Sequence, residues 1–302
     1  MTADKTAKQN TKVLAFAALA CIVLFPCATT DGGDDVPPPG KSTAQRRAIG
    51  NFIERGQQFL SQGDFDLAIE EFSELIRLNP DLAPAYNNRG VAYNDKGDYE
   101  LAIADYNQAL RLEPDDAFTY NNRGVAYNDK GDYDLAIADY NQAISLAPDY
   151  APPYNGRGFV YFRKGDYDLA IADYNQAISL APDYAPTYHN RGLLYRSKGD
   201  NDAAIADYSQ TIRLDPDSAD AYTNRGLTYY DKGDYDLAIA DYSQVIRLKP
   251  DSADAYTNRG LIYYGKGDYD RSVADLETAL RLDPNLTPAK LFLNFAKQEL
   301  DG

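Results

Sequence analysis

Arg55, Arg89, Arg123, Arg157, Arg191, Arg225 and Arg259 recur every 34 residues, each directly before a glycine. Each is followed later in its repeat by an acid, in turn Glu71, Asp105, Asp139, Asp173, Asp207, Asp241 and Asp275. The chemistry on offer is ion pairing, because a guanidinium fork and a carboxylate match in shape as well as charge. Other chemistry has little to work with. His189 is the one histidine, so no Ser/His/Asp or Cys/His set and no multi-histidine metal site can be assembled. The carboxylates are periodic, which leaves no isolated catalytic pair, and no glycine-rich phosphate loop is present. The reading is of a non-enzymatic chain that needs no cofactor and no metal.

The elements that position these residues are written in copies. The stretch "YNNRGVAYNDKGDY" stands at 86–99 and again at 120–133. Pro80, Pro114, Pro148, Pro182, Pro216, Pro250 and Pro284 mark the same period, which runs without insertion or deletion. Seven repeats fit, at 49–82, 83–116, 117–150, 151–184, 185–218, 219–252 and 253–286. A chain with 26 Tyr, no Trp and one Met is what reuse of a single template produces. Within 83–116, Tyr86, Arg89, Gly90 and Tyr93 follow helical spacing, and so do Tyr99, Ala102, Ile103 and Tyr106. Gly97 is placed to stop the first helix in the left-handed region, Asp98 to cap the second, and Pro114 to end it. The unit is a helical hairpin that cannot bury its apolar stripe alone, so neighbours must stack. Residues 287–302 form a closing helix, with Thr287 as its N-cap, Pro288 at its first helical position, and Phe292, Phe295, Ala296 and Leu300 on its packed face. Lys290, Asn294 and Lys297 then face water.

A 34-residue helical hairpin with an aromatic four residues before Gly, then Ala, aromatic, Ala and Pro at fixed offsets, resembles the tetratricopeptide repeat. The resemblance covers 49–286. Tyr in place of the family's frequent Trp, Asn201 in place of an aromatic, and Ser272 and Leu276 in the last repeat depart from it. It implies an all-α, right-handed superhelical solenoid of antiparallel helix pairs with a C-terminal capping helix. It also puts each repeat arginine where the family usually buries Leu, so an unpaired charge there would cost several kcal/mol. Two readings follow: an ion-pair ladder that fixes stacking register, or a basic ligand in the groove.

The family's ligands lie along the concave face of the first helices. Mapped there by repeat position are Asn87, Asn88 and Asn94, then Asn121, Asn122 and Asn128, then Asn155, Asn190, Asn224 and Asn258. Asparagine both donates and accepts, so a row of it can hold the backbone of an extended peptide. A solvated groove wall, or bonds to a neighbouring helix, is the alternative. Copying fails in repeats four and five, which carry Gly156, Phe159, Phe162 and Arg163, then His189, Leu193 and Arg196. Rings beside arginines read as an anchor for a partner; drift in a redundant repeat is the competing account.

Net charge is −16, and about −18 once residues 1–30 are set aside, the wrong sign for a nucleic-acid partner. Lys5, Lys8 and Lys12 precede an apolar run from Val13 to Phe25, the layout of an export signal and short for a span of ~20 residues. Cys21 and Cys27 lie in this segment. Cys27, before "ATTDGGDDVPPPG", resembles a bacterial lipoprotein's modified cysteine, although Pro26 stands where that motif wants a small residue. Residues 1–30 are thus a signal peptide or a membrane or lipid anchor, and 31–48 a flexible linker. A cleaved soluble product, a lipoprotein and an uncleaved anchor all stay open, with export to the periplasm or membrane attachment only through the N-terminus. The expected function is a scaffold that binds a peptide or helix of a partner protein. Its rival is a self-assembling structural protein of the cell envelope.

Overall fold

In a computed structural model the chain is described from Thr43 to Asp301, with side chains from Ile49 onward. The proposed signal, Cys21, Cys27 and most of the linker lie outside the described residues. Fifteen α-helices and no strands are found among the described residues. They fall into two compact units that meet in sequence at Lys164 and Gly165.

The first unit holds α1 (Thr43–Gln62), α2 (Phe65–Leu78), α3 (Ala83–Lys96), α4 (Tyr99–Leu112), α5 (Ala117–Lys130), α6 (Tyr133–Leu146) and α7 (Ala151–Lys164). The second holds α8 (Tyr167–Leu180), α9 (Ala185–Ser197), α10 (Asn201–Leu214), α11 (Ala219–Lys232), α12 (Tyr235–Leu248), α13 (Ala253–Gly265), α14 (Tyr269–Leu282) and α15 (Thr287–Asp301). Within each unit successive helices pack as tandem pairs, the solenoid of antiparallel hairpins that the repeat pattern implies.

Two glycines show how the hairpin is made. Gly97 sits at φ 92°, and its N–H bonds to Asn94 O while Asp98 N–H bonds to Tyr93 O, closing α3 with a left-handed stop. Gly90 instead permits close approach, since a Cβ there would lie 2.7 Å from the Tyr106 ring. That ring is fully buried, and Tyr140, Tyr174, Tyr208 and Tyr242 occupy its place in later repeats. Ala68, Ala102, Ala136, Ala170, Ala204 and Ala238 are sealed beside them. In the last copy Ser272 takes this alanine's position, and its hydroxyl is satisfied by donating to Gly260 O at 2.8 Å.

Two local expectations need correction. Asp98 occupies the N-cap of α4 but accepts no helix N–H; it stands 3.9 Å from Lys96 Nζ instead. The closing helix starts one residue earlier than read, with Thr287 already helical and Lys290 N–H bonded to Leu286 O. Its packed stripe runs through Ala289, Phe292, Leu293 and Ala296, so Phe295 and Leu300, expected inside, are 39% and 46% exposed. Leu291 joins them at 48%. Lys290, Asn294 and Lys297 face water as expected.

Candidate functional site

The arginines are the most regular polar feature of the fold. Arg89 on α3 donates from Nε and Nη2 to Asp105 on α4 at 2.7 and 2.8 Å, and from Nη1 to Ser73 on α2 at 3.0 Å. Arg123 holds Asp139 at 2.7 Å through both nitrogens and Asn107 at 2.5 Å. In the second unit Arg191 grips Asp207 and Asn175, Arg225 grips Asp241 and Ser209, and Arg259 grips Asp275 and Ser243. Arg55 pairs with Glu71 at 2.8 Å. Arg55 lies over the Phe52 ring at 4.9 Å, whereas the later guanidinium groups lie between two tyrosine rings, as Arg89 does with Tyr86 and Tyr93 at 5.8 and 5.9 Å. The hydrogen bonds to Asp105 hold the Arg89 pKa above its ordinary value against the opposing pull of burial.

The arginines therefore form a ladder rather than a basic groove. Arg89, Arg123, Arg191, Arg225 and Arg259 each tether their own second helix to the second helix of the preceding hairpin. The Asn or Ser partner at 73, 107, 141, 175, 209 and 243 is a site residue that the sequence reading missed, although its period was visible. At the equivalent place in the last repeat, where no further arginine follows, stands Glu277, which pairs with Lys297 of α15 at 2.7 Å.

The asparagines are placed differently from a solvent-lined clamp. Asn87, Asn88, Asn121, Asn122, Asn155 and Asn190 are buried. Asn87 Oδ1 accepts from Thr119 Oγ1 and from Asn122 Nδ2, each at 3.1 Å, so this amide joins α3 to α5. The reason is geometric: neighbouring first helices pack closely enough to close over these positions, and a buried amide must then find its partners within the protein. Asn224 and Asn258, in the second unit, keep partial exposure.

The residues that break the repeat fall in both units. In the first, Phe159 is a core ring, 6% exposed, against which Phe162 packs edge-on at 6.4 Å. Phe162 is partly exposed and Arg163 exposed. Arg163 donates to Tyr133 Oη at 2.7 Å and its guanidinium lies 5.5 Å from the centre of that ring. The expectation of two surface anchors thus reduces to one, since Phe159 is interior. In the second unit His189 is buried beside the Tyr208 ring and 3.5 Å from Asn224 Nδ2. Burial pushes its imidazole down to about 4, so it is neutral and is not presented to a ligand. Arg196 is held by Asp231 at 2.8 Å.

Among the described residues, no three or more His, Cys, Asp and Glu side chains come together as a metal-ligand set. Nor is any described helix long and apolar enough to cross a membrane.

Comparison with known proteins places the chain. The family model described as TPR repeat matches residues 56–96, 124–165, 160–195, 192–233 and 226–267. Models described as tetratricopeptide repeat match 83–116, 253–286 and 105–138. No curated protein matches the chain. Among solved structures it is similar to the Cut9–Hcn1 hetero-tetramer of the APC/C, with 20% identity over 76% of this chain and 48% of that one, at a TM-score of 0.63. The chain thus spans about half the length of that relative. A tetratricopeptide repeat protein from Parabacteroides merdae ATCC 43184 shares 22% identity over 83% of this chain and 99% of its own, at a TM-score of 0.56. YrrB, described as having an unusual peptide-binding site, shares 22% over 61% and 95%, at 0.51. At these identities the likeness is one of fold. The family models, which together cover residues 56–286, carry the assignment: this chain is a member of the tetratricopeptide repeat family.

Proposed function

We propose that the chain is a non-enzymatic scaffold that holds a peptide or helix of a partner protein against its first helices, and that its N-terminal segment exports it or ties it to a membrane. The observation that carries the binding reading is Phe162. In the two preceding repeats its position is Asn94 and Asn128, both buried, whereas Phe162 keeps solvent contact beside an exposed guanidinium. Internal packing does not require a ring that stays wet, and an apolar ring next to a cation suits a partner segment carrying an apolar and an acidic residue. Partly exposed Asn224 and Asn258 offer the second unit's backbone-binding groups. The family's common use as a protein-binding scaffold, and the peptide-binding site named for YrrB, support the same reading.

The test is a pull-down from native envelope extract with the wild-type chain, Phe162→Ala with Arg163→Ala, and bare matrix. A defined set of proteins retained by wild type and lost by the variant is expected. Equal capture by both, or no capture above the matrix, refutes the site.

Self-assembly remains the second reading, and Leu291, Phe295 and Leu300 exposed on α15 favour it. Sedimentation should then show concentration-dependent growth that Leu291→Ser with Phe295→Ser abolishes.

A further inference from the structure

The last turns of α3 and α5 carry a cluster that the ladder does not use and that peptide binding does not require. Asn94 and Asn128 are 9% and 6% exposed, and Asn94 Oδ1, Asp95 Oδ1 and Asn128 Oδ1 are sealed from solvent without a hydrogen-bond donor. Asn94 Nδ2 lies 3.4 Å from Asp129 Oδ2, and Asn128 Nδ2 donates to Asp129 Oδ1 at 3.1 Å. Both amides are thus gathered on one carboxylate, and each keeps an orphan carbonyl oxygen. Turning either amide over would set its oxygen against the Asp129 carboxylate, which deepens the shortage of positive charge.

The nearby lysines are committed elsewhere. Lys96 reaches Asp66 at 2.7 Å and Asp98 at 3.9 Å, while Lys130 reaches Asp132 at 3.1 Å and Glu100 at 3.8 Å. Arg163 is bonded to Tyr133, and its field reaches Asp129. The Tyr99 hydroxyl, raised by burial and by Asp129, is neutral. Asp95 and Asp129 lie close enough to repel one another. The C-terminal ends of two helices add further negative potential.

We propose that Asn94, Asp95, Asn128 and Asp129 form a binding site for a hard divalent cation, with Ca²⁺ the best fit. Two carboxylates balance a 2+ charge, and two amide oxygens complete four oxygen donors on one side of the ion, leaving water to fill the rest. Ca²⁺ accepts irregular sets of 6–8 oxygens, whereas Mg²⁺ demands near-octahedral order, and the absence of sulfur and imidazole donors disfavours transition metals. The copies before and after differ in the same place. Position 95 becomes Arg163 in repeat four and Ser197 in repeat five, so the acceptor pair is confined to repeats two and three.

The experiment uses the full chain at pH 7.5 and constant ionic strength. Calorimetric titration with CaCl₂ should give one saturable site with a dissociation constant on the order of 10⁻⁴–10⁻³ M, and Ca²⁺ should raise the melting temperature. Asp95→Asn with Asp129→Asn should weaken binding by more than about tenfold and remove the Ca²⁺-dependent shift, whereas Asp98→Asn should change neither. Independently of any variant, Mn²⁺ should broaden the side-chain amide signals of Asn94 and Asn128 in the wild-type spectrum before those of Asn224 and Asn258. No saturable binding, equal binding by the double variant, or broadening that spares Asn94 and Asn128 overturns the site. Stabilisation on lowering the pH with none from Ca²⁺ also overturns it and makes the cluster a proton site.

Discussion

Breaking the Arg123–Asp139 pair tests whether the ladder holds the array in register. Asp139→Ala leaves a guanidinium that is 18% exposed, cannot lose its proton, and keeps only Asn107 and its two tyrosine faces. Removing one partner of a buried pair costs about 3–5 kcal/mol, and the low exposure of this pair puts it in that range. Arg123→Leu strands Asp139 instead, but a carboxyl can take up a proton, so its cost is capped at about 1.4 kcal/mol for each unit between its ordinary pKa and solution pH, about 4 kcal/mol at pH 7. Arg123→Leu with Asp139→Leu removes both charges and should fall within ~1 kcal/mol of wild type. Urea unfolding followed by circular dichroism measures all four proteins. The expected order is wild type and the double variant close together, then Arg123→Leu, then Asp139→Ala, with coupling of about 2 kcal/mol or more. Lowering the pH from 7 to 5 should narrow the deficit of Arg123→Leu and leave that of Asp139→Ala unchanged. A double variant whose loss equals the sum of the single losses would show that the pair contributes no mutual stabilisation, and the ladder account would fail.

Three other outcomes follow from the same geometry. His189 has its pKa lowered to about 4 from an ordinary 6.5, so its contribution is complete above pH 6.5 and is lost as pH falls toward 4. Relative to wild type, His189→Asn should therefore gain stability across that window, by up to about 3 kcal/mol, in paired melts as a function of pH. Gly90→Ala should cost about 1–3 kcal/mol, because its Cβ meets a buried ring 2.7 Å away that has nowhere to move. Gly97→Ala, with open space but a left-handed backbone, should cost nearer 1 kcal/mol in the same urea assay. Phe159→Ala should lower stability by about 3–5 kcal/mol as a core deletion, whereas Phe162→Ala should stay within about 1 kcal/mol and lose only partner capture; the reverse pattern would exchange their roles.

What the sequence determined by itself is whatever a strict period can encode: the number of hairpins, their antiparallel pairing, the glycine stops, and arginine–acid pairs such as Arg123 with Asp139. Period is enough because each hairpin's two helices are local in the chain, so spacing alone puts Arg123 opposite Asp139. The interaction between hairpins was decided by the tertiary structure. Whether an asparagine lines a groove or closes onto Thr119 depends on how near α3 and α5 approach, a distance that no spacing along one helix fixes. Tertiary packing also turned Phe159 inward while leaving Phe162 wet, and the approach of α3 to α5 gathered Asn94, Asn128 and Asp129 at the ends of two helices. Along the sequence these were unremarkable polar letters. Burial withdrew the water that would have satisfied them, and that gives them their chemistry.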